Sequence, residues 1–175
     1  MSETVGVVSK ESENSNVNEE VGMLKWLWLS VAVIVIDQVT KHLVVDAFQL
    51  YEKLEILPIF NLTLAYNPGA AFSFLANEDG WQRWFFAIIS LGVSAMLVAW
   101  LRKTPKSDWW MGVCLALIVG GALGNLYDRI VLGHVVDFLD FHWNQSHFPA
   151  FNVADMAISV GAFMLAVDVI RNPGK

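Results

Sequence analysis

Four long apolar stretches constrain the fold of this chain more than any other feature of its sequence. Each is long enough to cross a hydrocarbon layer of about 30 Å as a helix that rises about 1.5 Å per residue. Backbone polar groups in lipid have to be satisfied within their own segment, so the stretches predict an all-α membrane protein with four transmembrane helices. They cover residues 26–45, 84–101, 109–127 and 151–170.

The composition indicates that lipid surrounds most of the chain and sets one polar segment apart. Hydrophobic residues make up 55% of the chain and charged residues 16%, whereas soluble domains carry about 25% charged residues. Residues 1–22 differ, because they contain five glutamates and only Lys10 to balance them. We therefore expect a disordered acidic tail over 1–22 and a single membrane-embedded domain over 23–175. No basic patch is present, which argues against a nucleic-acid partner.

Lysine and arginine are unevenly distributed between the connections of the predicted helices. Arg102, Lys103 and Lys106 crowd the short link between the second and third stretches. Short loops rich in these residues stay on the cytoplasmic side of a membrane. The sequence therefore predicts that both termini are cytoplasmic, and that the connections 46–83 and 128–150 lie on the outer side.

The first of these outer connections has the pattern of a β-strand. Leu62, Leu64 and Tyr66 alternate with other residues, so they fall on one face of an extended segment. The Asn67-Pro68-Gly69 step that follows favours a turn. We expect a small β-sheet-like segment on the outer membrane surface. It could serve packing alone, or its edge could pair with an extended substrate.

Several polar residues lie where lipid should exclude them. A charge at the centre of a bilayer costs at least ~2.5 kcal/mol, and Asp37 and Lys41 are spaced i, i+4 within the first stretch. This spacing predicts an ion pair between them. The pair could be purely structural, it could orient the substrate or the outer segment, or it could serve both roles. Asn125 and Arg129 share one face at the end of the third stretch, although Arg129 alone could extend to the headgroups. Asp128 is expected to pair with its neighbour Arg129.

Asp137 and Asp155 are the strongest candidates for chemistry. Asp137 lies in an apolar run, and Asp155 lies one turn into the fourth stretch with Asn152 at i−3 and Ser159 at i+4. The link between them is short enough to bring the two carboxylates together, where they would share one proton and act as acid and base. The helix N-terminus favours the charge on Asp155. The alternative is that each aspartate caps a helix or faces water.

Other chemistries find little support in the sequence. His134, His142 and His147 lie in a loop without a His-Glu-x-x-His pattern or helical spacing. No Gly-x-Ser-x-Gly nucleophile elbow occurs. The sequence therefore predicts no metal and no cofactor. Two other classes stay open, namely a small channel or carrier with an acid-lined pore and a structural subunit with dispensable aspartates.

The polar residues belong to five short motifs that occur in a specific order. Together they resemble the lipoprotein signal peptidases, also called signal peptidase II or prolipoprotein signal peptidase, and the similarity extends from the first stretch to the last. The motifs are Asp37-Gln38-x-x-Lys41, Tyr66-Asn67-Pro68-Gly69-Ala70-Ala71-Phe72, Gly121-Ala122-Leu123-Gly124-Asn125-Leu126-Tyr127-Asp128-Arg129, Val136-Asp137-Phe138 and Phe151-Asn152-x-Ala154-Asp155.

The resemblance implies a multi-pass aspartic endopeptidase of the bacterial inner membrane, with its active site near the periplasmic surface. Such an enzyme cuts diacylglyceryl-modified prolipoproteins immediately before the lipidated cysteine. Asp137 and Asp155 match its catalytic aspartates. The positions that match residues around the site are Asn67, Asn125, Arg129, Asn152, Asp37 and Lys41. The implied partners are membrane lipid, the prolipoprotein substrate and the antibiotic globomycin, and the chain is expected to be a monomer.

Overall fold

The structure, a computed structural model, describes residues 22–69 and 80–172. Within these residues, four helices are long and apolar enough to cross a membrane, which confirms the predicted fold class. A short 3₁₀ helix, Leu24–Trp26, precedes the first of them. The helices are α1 (Leu27–Ala47), α2 (Trp81–Lys103), α3 (Trp109–Val131) and α4 (Val153–Arg171). Most of the predicted acidic tail and the Ala70-Ala71-Phe72 end of the second motif lie outside the described residues.

Helix α3 is the buried centre of the bundle, because α1, α2 and α4 all pack against it. Two glycines permit its closest approaches. A Cβ added to Gly121 would collide with the Ala154 carbonyl oxygen of α4, and one added to Gly124 would lie 2.8 Å from Asp37 Oδ2 of α1. Small residues let helix backbones approach closely in membranes, where no hydrophobic force holds helices together.

An antiparallel sheet lies at one end of the helices, which we call the sheet end. Among the described residues its strands are β1 (Lys53–Leu57), β2 (Phe60–Asn67), β3 (Val135–Trp143) and β4 (Ser146–His147), in that spatial order. The predicted strand is present as β2. Its Leu62 and Leu64 pack with Val44 of α1 and with Phe138 of β3, as the alternating pattern indicated.

Strand β3 was not predicted, because its sequence does not alternate. Val135, Val136, Asp137 and Phe138 are all buried, so both faces of the strand are covered. A strand buried on both faces loses the period of two that marks a half-exposed one. Gly133, with a φ of 83°, turns the chain from α3 into this strand. The turn brings β3 back over the end of the bundle where α4 begins.

Candidate functional site

Asp137 of β3 and Asp155 of α4 meet around one asparagine at the sheet end. Asn152 Nδ2 donates to Asp137 Oδ1 at 2.7 Å, and Asn152 N donates to Asp155 Oδ2 at 3.3 Å. The two elements are joined locally, because Phe151 forms a β-bridge with Leu139 immediately before α4 begins. We call Asp137 and Asp155 the aspartate pair.

Each carboxylate of the aspartate pair accepts a second hydrogen bond from another asparagine. Asn67 Nδ2 of β2 donates to Asp137 Oδ2 at 3.1 Å. Asn125 Nδ2 of α3 donates to Asp155 Oδ1 at 2.7 Å. All four carboxylate oxygens are therefore held by donors, and the donors come from three different elements of the fold. Both carboxylates are fixed in orientation before any ligand arrives.

Asp155 also takes part in starting helix α4. Asn152 is the N-cap residue, its Oδ1 accepts from Asp155 N at 2.9 Å, and Asp155 Oδ2 accepts from Asn152 N in return. This is a capping box, in which two otherwise unpaired backbone donors are satisfied reciprocally. The alternative that Asp155 caps a helix is thus correct, but the same carboxylate also lies beside Asp137.

The environment of Asp137 favours its protonated form. Its side chain is 3% exposed. Burial and, after it, the negative charge of Asp155 raise the pKa of Asp137 to about 7, although hydrogen bonds from Asn67 and Asn152 oppose the shift. A carboxyl group with such a pKa holds a proton for much of the time near neutral pH.

A buried lysine lies behind the aspartate pair. Lys41 Nζ is 2.8 Å from Asp37 Oδ2, 2.8 Å from Asp128 Oδ2 and 2.9 Å from Asn125 Oδ1. The predicted ion pair of Asp37 and Lys41 is confirmed. The expected pairing of Asp128 with Arg129 is wrong, because consecutive residues on a helix point in different directions. We call Asp37, Lys41 and Asp128 the lysine cluster.

The acids of the lysine cluster hold the backbone on either side of the aspartate pair. Asp37 Oδ1 accepts from Ala154 N at 2.9 Å, one residue before the aspartate of α4. Asp128 Oδ2 accepts from Val136 N at 3.1 Å, one residue before the aspartate of β3. The role of Asp128 was missed from the sequence. Its i, i+3 spacing from Asn125, which places both on one face of α3, is the signal that could have indicated it.

Arg129 lies within the site. Its Nη1 donates to Asn125 O at 3.2 Å, and its guanidinium carbon is 5.4 Å from the centre of the Phe86 ring of α2. Its Nε is buried and has no hydrogen-bond partner among the described residues. The side chain lines the same cavity as Asp155. A buried donor without a partner at a cavity wall can bind a carbonyl oxygen of a ligand.

Two cavities bounded by described residues flank the aspartate pair. The sheet cavity, of about 430 Å³, is lined by Asp137 together with Tyr51, Lys53, Asp140 and His147. The helix cavity, of about 610 Å³, has mostly apolar walls. Its lining includes Asp155, Ser159, Arg129, Phe86, Met156 and Val160. Asn67 and residues 148–150 line both cavities. A ligand that spans the two cavities would pass directly over the aspartate pair.

Comparison with known proteins finds relatives over most of the chain. The family model described as signal peptidase (SPase) II matches residues 29–171. The lipoprotein signal peptidase of Pseudomonas syringae pv. tomato is 55% identical over 157 residues, covering 89% of this chain and 91% of that protein. The lipoprotein signal peptidase of Pseudomonas putida is 58% identical over 153 residues, covering 86% of this chain and 90% of that protein.

Solved structures agree with these relatives. Two bacterial membrane enzymes, determined by the in meso method at 2.3 Å and 1.9 Å resolution, are each 29% identical to this chain. The first superposes with a TM-score of 0.78 and covers 89% of this chain and 94% of its own. The second has a TM-score of 0.76 and covers 88% and 98%.

Proposed function

The chain belongs to the signal peptidase II family and is a multi-pass membrane peptidase, and from that premise we propose that it cleaves prolipoproteins by aspartic chemistry. The observation that carries this proposal is the aspartate pair, held around Asn152 between two cavities. The proposed substrate is a precursor that carries diacylglycerol on a cysteine, and the cut lies immediately before that cysteine.

In the proposed mechanism the two aspartates have different roles. Asp155 is ionised and removes a proton from a water molecule, whose oxygen attacks the carbonyl carbon of the scissile bond. Asp137 is protonated and donates a hydrogen bond to the carbonyl oxygen, then its proton. When the tetrahedral intermediate collapses, the C–N bond breaks, the amine of the cysteine leaves with the proton that Asp155 took from water, and Asp137 takes back a proton from a hydroxyl of the intermediate, so that the new carboxyl group forms and both aspartates return to their starting states. The raised pKa of Asp137 and the position of Asp155 in the first turn of α4 support this assignment.

The walls of the helix cavity support a lipid-modified substrate. Next to it lies a smaller cavity of about 250 Å³, which also reaches Asp155 and is lined by apolar residues of α2 and α3. The apolar residues that line this smaller cavity include Phe86, Ile89, Val93 and Ile118. A diacylglyceryl group stays in the bilayer, so we place it against these walls. The polar sheet cavity then receives the part of the polypeptide that faces water.

The distribution of charge supports an orientation in the bacterial inner membrane. Arg102 and Lys103 end helix α2 at the side of the bundle opposite the sheet, and basic residues favour the cytoplasmic side. We therefore place both termini in the cytoplasm and the aspartate pair near the periplasmic surface. We further propose that the protein acts as a monomer and that globomycin binds over the aspartate pair.

A cleavage assay tests the proposal. The purified protein in detergent should shorten a diacylglyceryl-modified precursor, whereas Asp137→Asn and Asp155→Asn should each lower kcat about 10²–10⁴-fold, the usual contribution of a general acid or base. Asp46→Asn is the matched control, because Asp46 is exposed at the sheet end of α1. Melting temperatures near that of the wild type would show that the variants are folded.

Three results would contradict parts of this proposal. Near-normal cleavage by both folded variants would exclude the aspartic mechanism. Equal cleavage of an unlipidated precursor would exclude the proposed substrate class. Ion flux into liposomes without any shortening of the precursor would favour an acid-lined pore instead.

A further inference from the structure

A second carboxylate centre lies in the sheet, apart from the aspartate pair. Asp140 of β3 is 4% exposed, and its oxygens are surrounded by donors from the other strands. His147 Nδ1 donates to Asp140 Oδ1 at 2.8 Å, while Lys53 Nζ and Asn61 Nδ2 are each 3.1 Å from Asp140 Oδ2. We call these four residues the Asp140 cluster. Burial alone would raise the pKa of Asp140, but the hydrogen bonds from His147, Asn61 and Lys53 hold it below its usual value.

A β-bulge turns Asp140 toward the same cavity as Asp137. In a regular strand, residues three positions apart point to opposite faces. Here the amides of Phe138 and Leu139 both donate to the Phe151 carbonyl oxygen, at 3.0 and 2.9 Å. Two consecutive amides on one acceptor are the signature of a β-bulge, which interrupts the alternation of the strand, and the pairing of β2 with β3 shifts register at the same place, between Leu62 and Ala65. Asp137 and Asp140 therefore both line the sheet cavity.

The segment 148–150, which we call the strap, is the wall that the sheet and helix cavities share. Its backbone is attached at both ends. Phe148 N donates to Phe141 O at 2.8 Å, and after the strap Phe151 N donates to Leu139 O at 3.1 Å. The residue immediately before the strap is His147, whose side chain is attached to Asp140.

We propose that Asp140 is a positioning residue, which through His147 fixes the strap over the aspartate pair so that the substrate can lie in both cavities at once. The inference rests on the proposed function, because it concerns binding of the same precursor. Asp140 accepts from none of the asparagines that hold the aspartate pair, which are Asn67, Asn125 and Asn152. Loss of Asp140 therefore displaces the wall that the substrate contacts and leaves the chemical groups in place.

This separation predicts an effect on KM rather than on kcat. Asp140→Ala and His147→Ala should each raise KM for the diacylglyceryl-modified precursor about tenfold, the change expected when one charge-assisted hydrogen bond is lost. The value of kcat should stay within about twofold. His147→Gln should restore KM toward that of the wild type, because the amide of glutamine can donate to Asp140 in place of the imidazole.

His142→Ala is the matched control. His142 lies opposite His147 in the β3–β4 hairpin, and their rings stack with centroids 5.1 Å apart. Its Nδ1 contacts Asn144 O instead of Asp140. Removing this ring takes the same volume from the same hairpin and leaves the hydrogen bonds of the Asp140 cluster intact. We expect wild-type KM and kcat for this variant.

Hydrogen–deuterium exchange gives a second measurement that does not depend on activity. In Asp140→Ala, the amide of Phe148 should exchange at least tenfold faster, while the amide of Phe151, beside the aspartate pair, and amides in the middle of α3 keep their wild-type rates. If Asp140→Ala does not fold, His147→Ala and His147→Gln provide the same comparison.

The outcomes separate this inference from the proposed function. A wild-type protein that cleaves no precursor would refute the proposed function, but faster strap exchange in the variants would still show that Asp140 holds the strap. An active wild type whose two alanine variants keep both KM and strap exchange would overturn the inference alone. A fall in kcat at constant KM would also overturn it, because Asp140 would then act on the chemical step.

Discussion

Replacing Lys41 by methionine should destabilise the protein more than any other lysine substitution at the sheet end. Met has a similar length but no charge, so Lys41→Met leaves Asp37 and Asp128 in place without their cation. These carboxylates are 0% and 1% exposed, and Lys41 itself is 2% exposed. Removing one partner of a buried ion pair costs about 3–5 kcal/mol, because the remaining charge is buried and uncompensated. Here one lysine compensates two carboxylates, so we expect a loss in that range or above.

Thermal unfolding in detergent, followed by tryptophan fluorescence, measures this loss. For a chain of this size about 1 kcal/mol corresponds to 2–4 °C in Tm, so Lys41→Met should lower Tm by about 6–20 °C. Lys53→Met is the control. Lys53 also contacts a buried aspartate but is 49% exposed, and such pairs contribute less than about 1 kcal/mol. Its Tm should fall by less than about 4 °C.

A neutral version of the lysine cluster tests the physical reason for the effect. The triple variant Lys41→Met, Asp37→Asn, Asp128→Asn has no buried charge in the cluster, so its Tm should lie above that of Lys41→Met. Cleavage should fall in the single variant as well, since Asp37 and Asp128 hold the backbone beside the aspartate pair. A wild-type Tm for Lys41→Met, or a lower Tm for the triple variant, would refute the argument.

Two further predictions concern helix packing and pH. Gly121→Ala places a Cβ against the Ala154 carbonyl oxygen, so this substitution should lower the free energy of unfolding by about 1–3 kcal/mol. The control is Gly92→Ala, whose Cβ would have no atom within 4 Å and which should leave the free energy of unfolding unchanged or raise it. Equal melting temperatures for the two variants would contradict this prediction. In the proposed mechanism Asp137 acts as the protonated acid, so kcat/KM should fall as pH rises through its pKa of about 7. Asn67→Ala removes a donor that favours ionised Asp137, so in this variant the midpoint of the alkaline fall in kcat/KM should move to higher pH. A midpoint at lower pH than in the wild type would contradict the assignment of Asp137 as the acid.

Features that depend on local sequence could be predicted. The helices follow from the length of the apolar stretches, and the ion pair of Asp37 and Lys41 follows from their i, i+4 spacing. The position of Asn152 at i−3 from Asp155 likewise anticipated a shared helix face, although its role as the N-cap was not foreseen. In each case residues close in the chain are held close in space by regular helical geometry.

Features that depend on contacts between distant segments could not be predicted. Strand β3 carries no alternation because both its faces are buried, and the bulge at Phe138 and Leu139 depends on Phe151, which only the fold brings there. From the sequence, Asp140 and His147 lie only somewhere in the outer connection 128–150. Their contact requires that β3 and β4 pair, and no local signal in a two-residue strand reports that.

The capping box at the start of α4 has a consequence for the biogenesis of this protein. The hydrogen bonds that begin the helix also orient Asp155, and its other donor is Asn125 of α3, so this carboxylate has no defined position until α4 has formed and has docked against α3. Asn67, Asn125 and Asp137 come from three other elements. Under the proposed chemistry, a partly inserted chain therefore has no peptidase activity. It cannot hydrolyse newly made segments in the same bilayer until α4, its last helix, is in place.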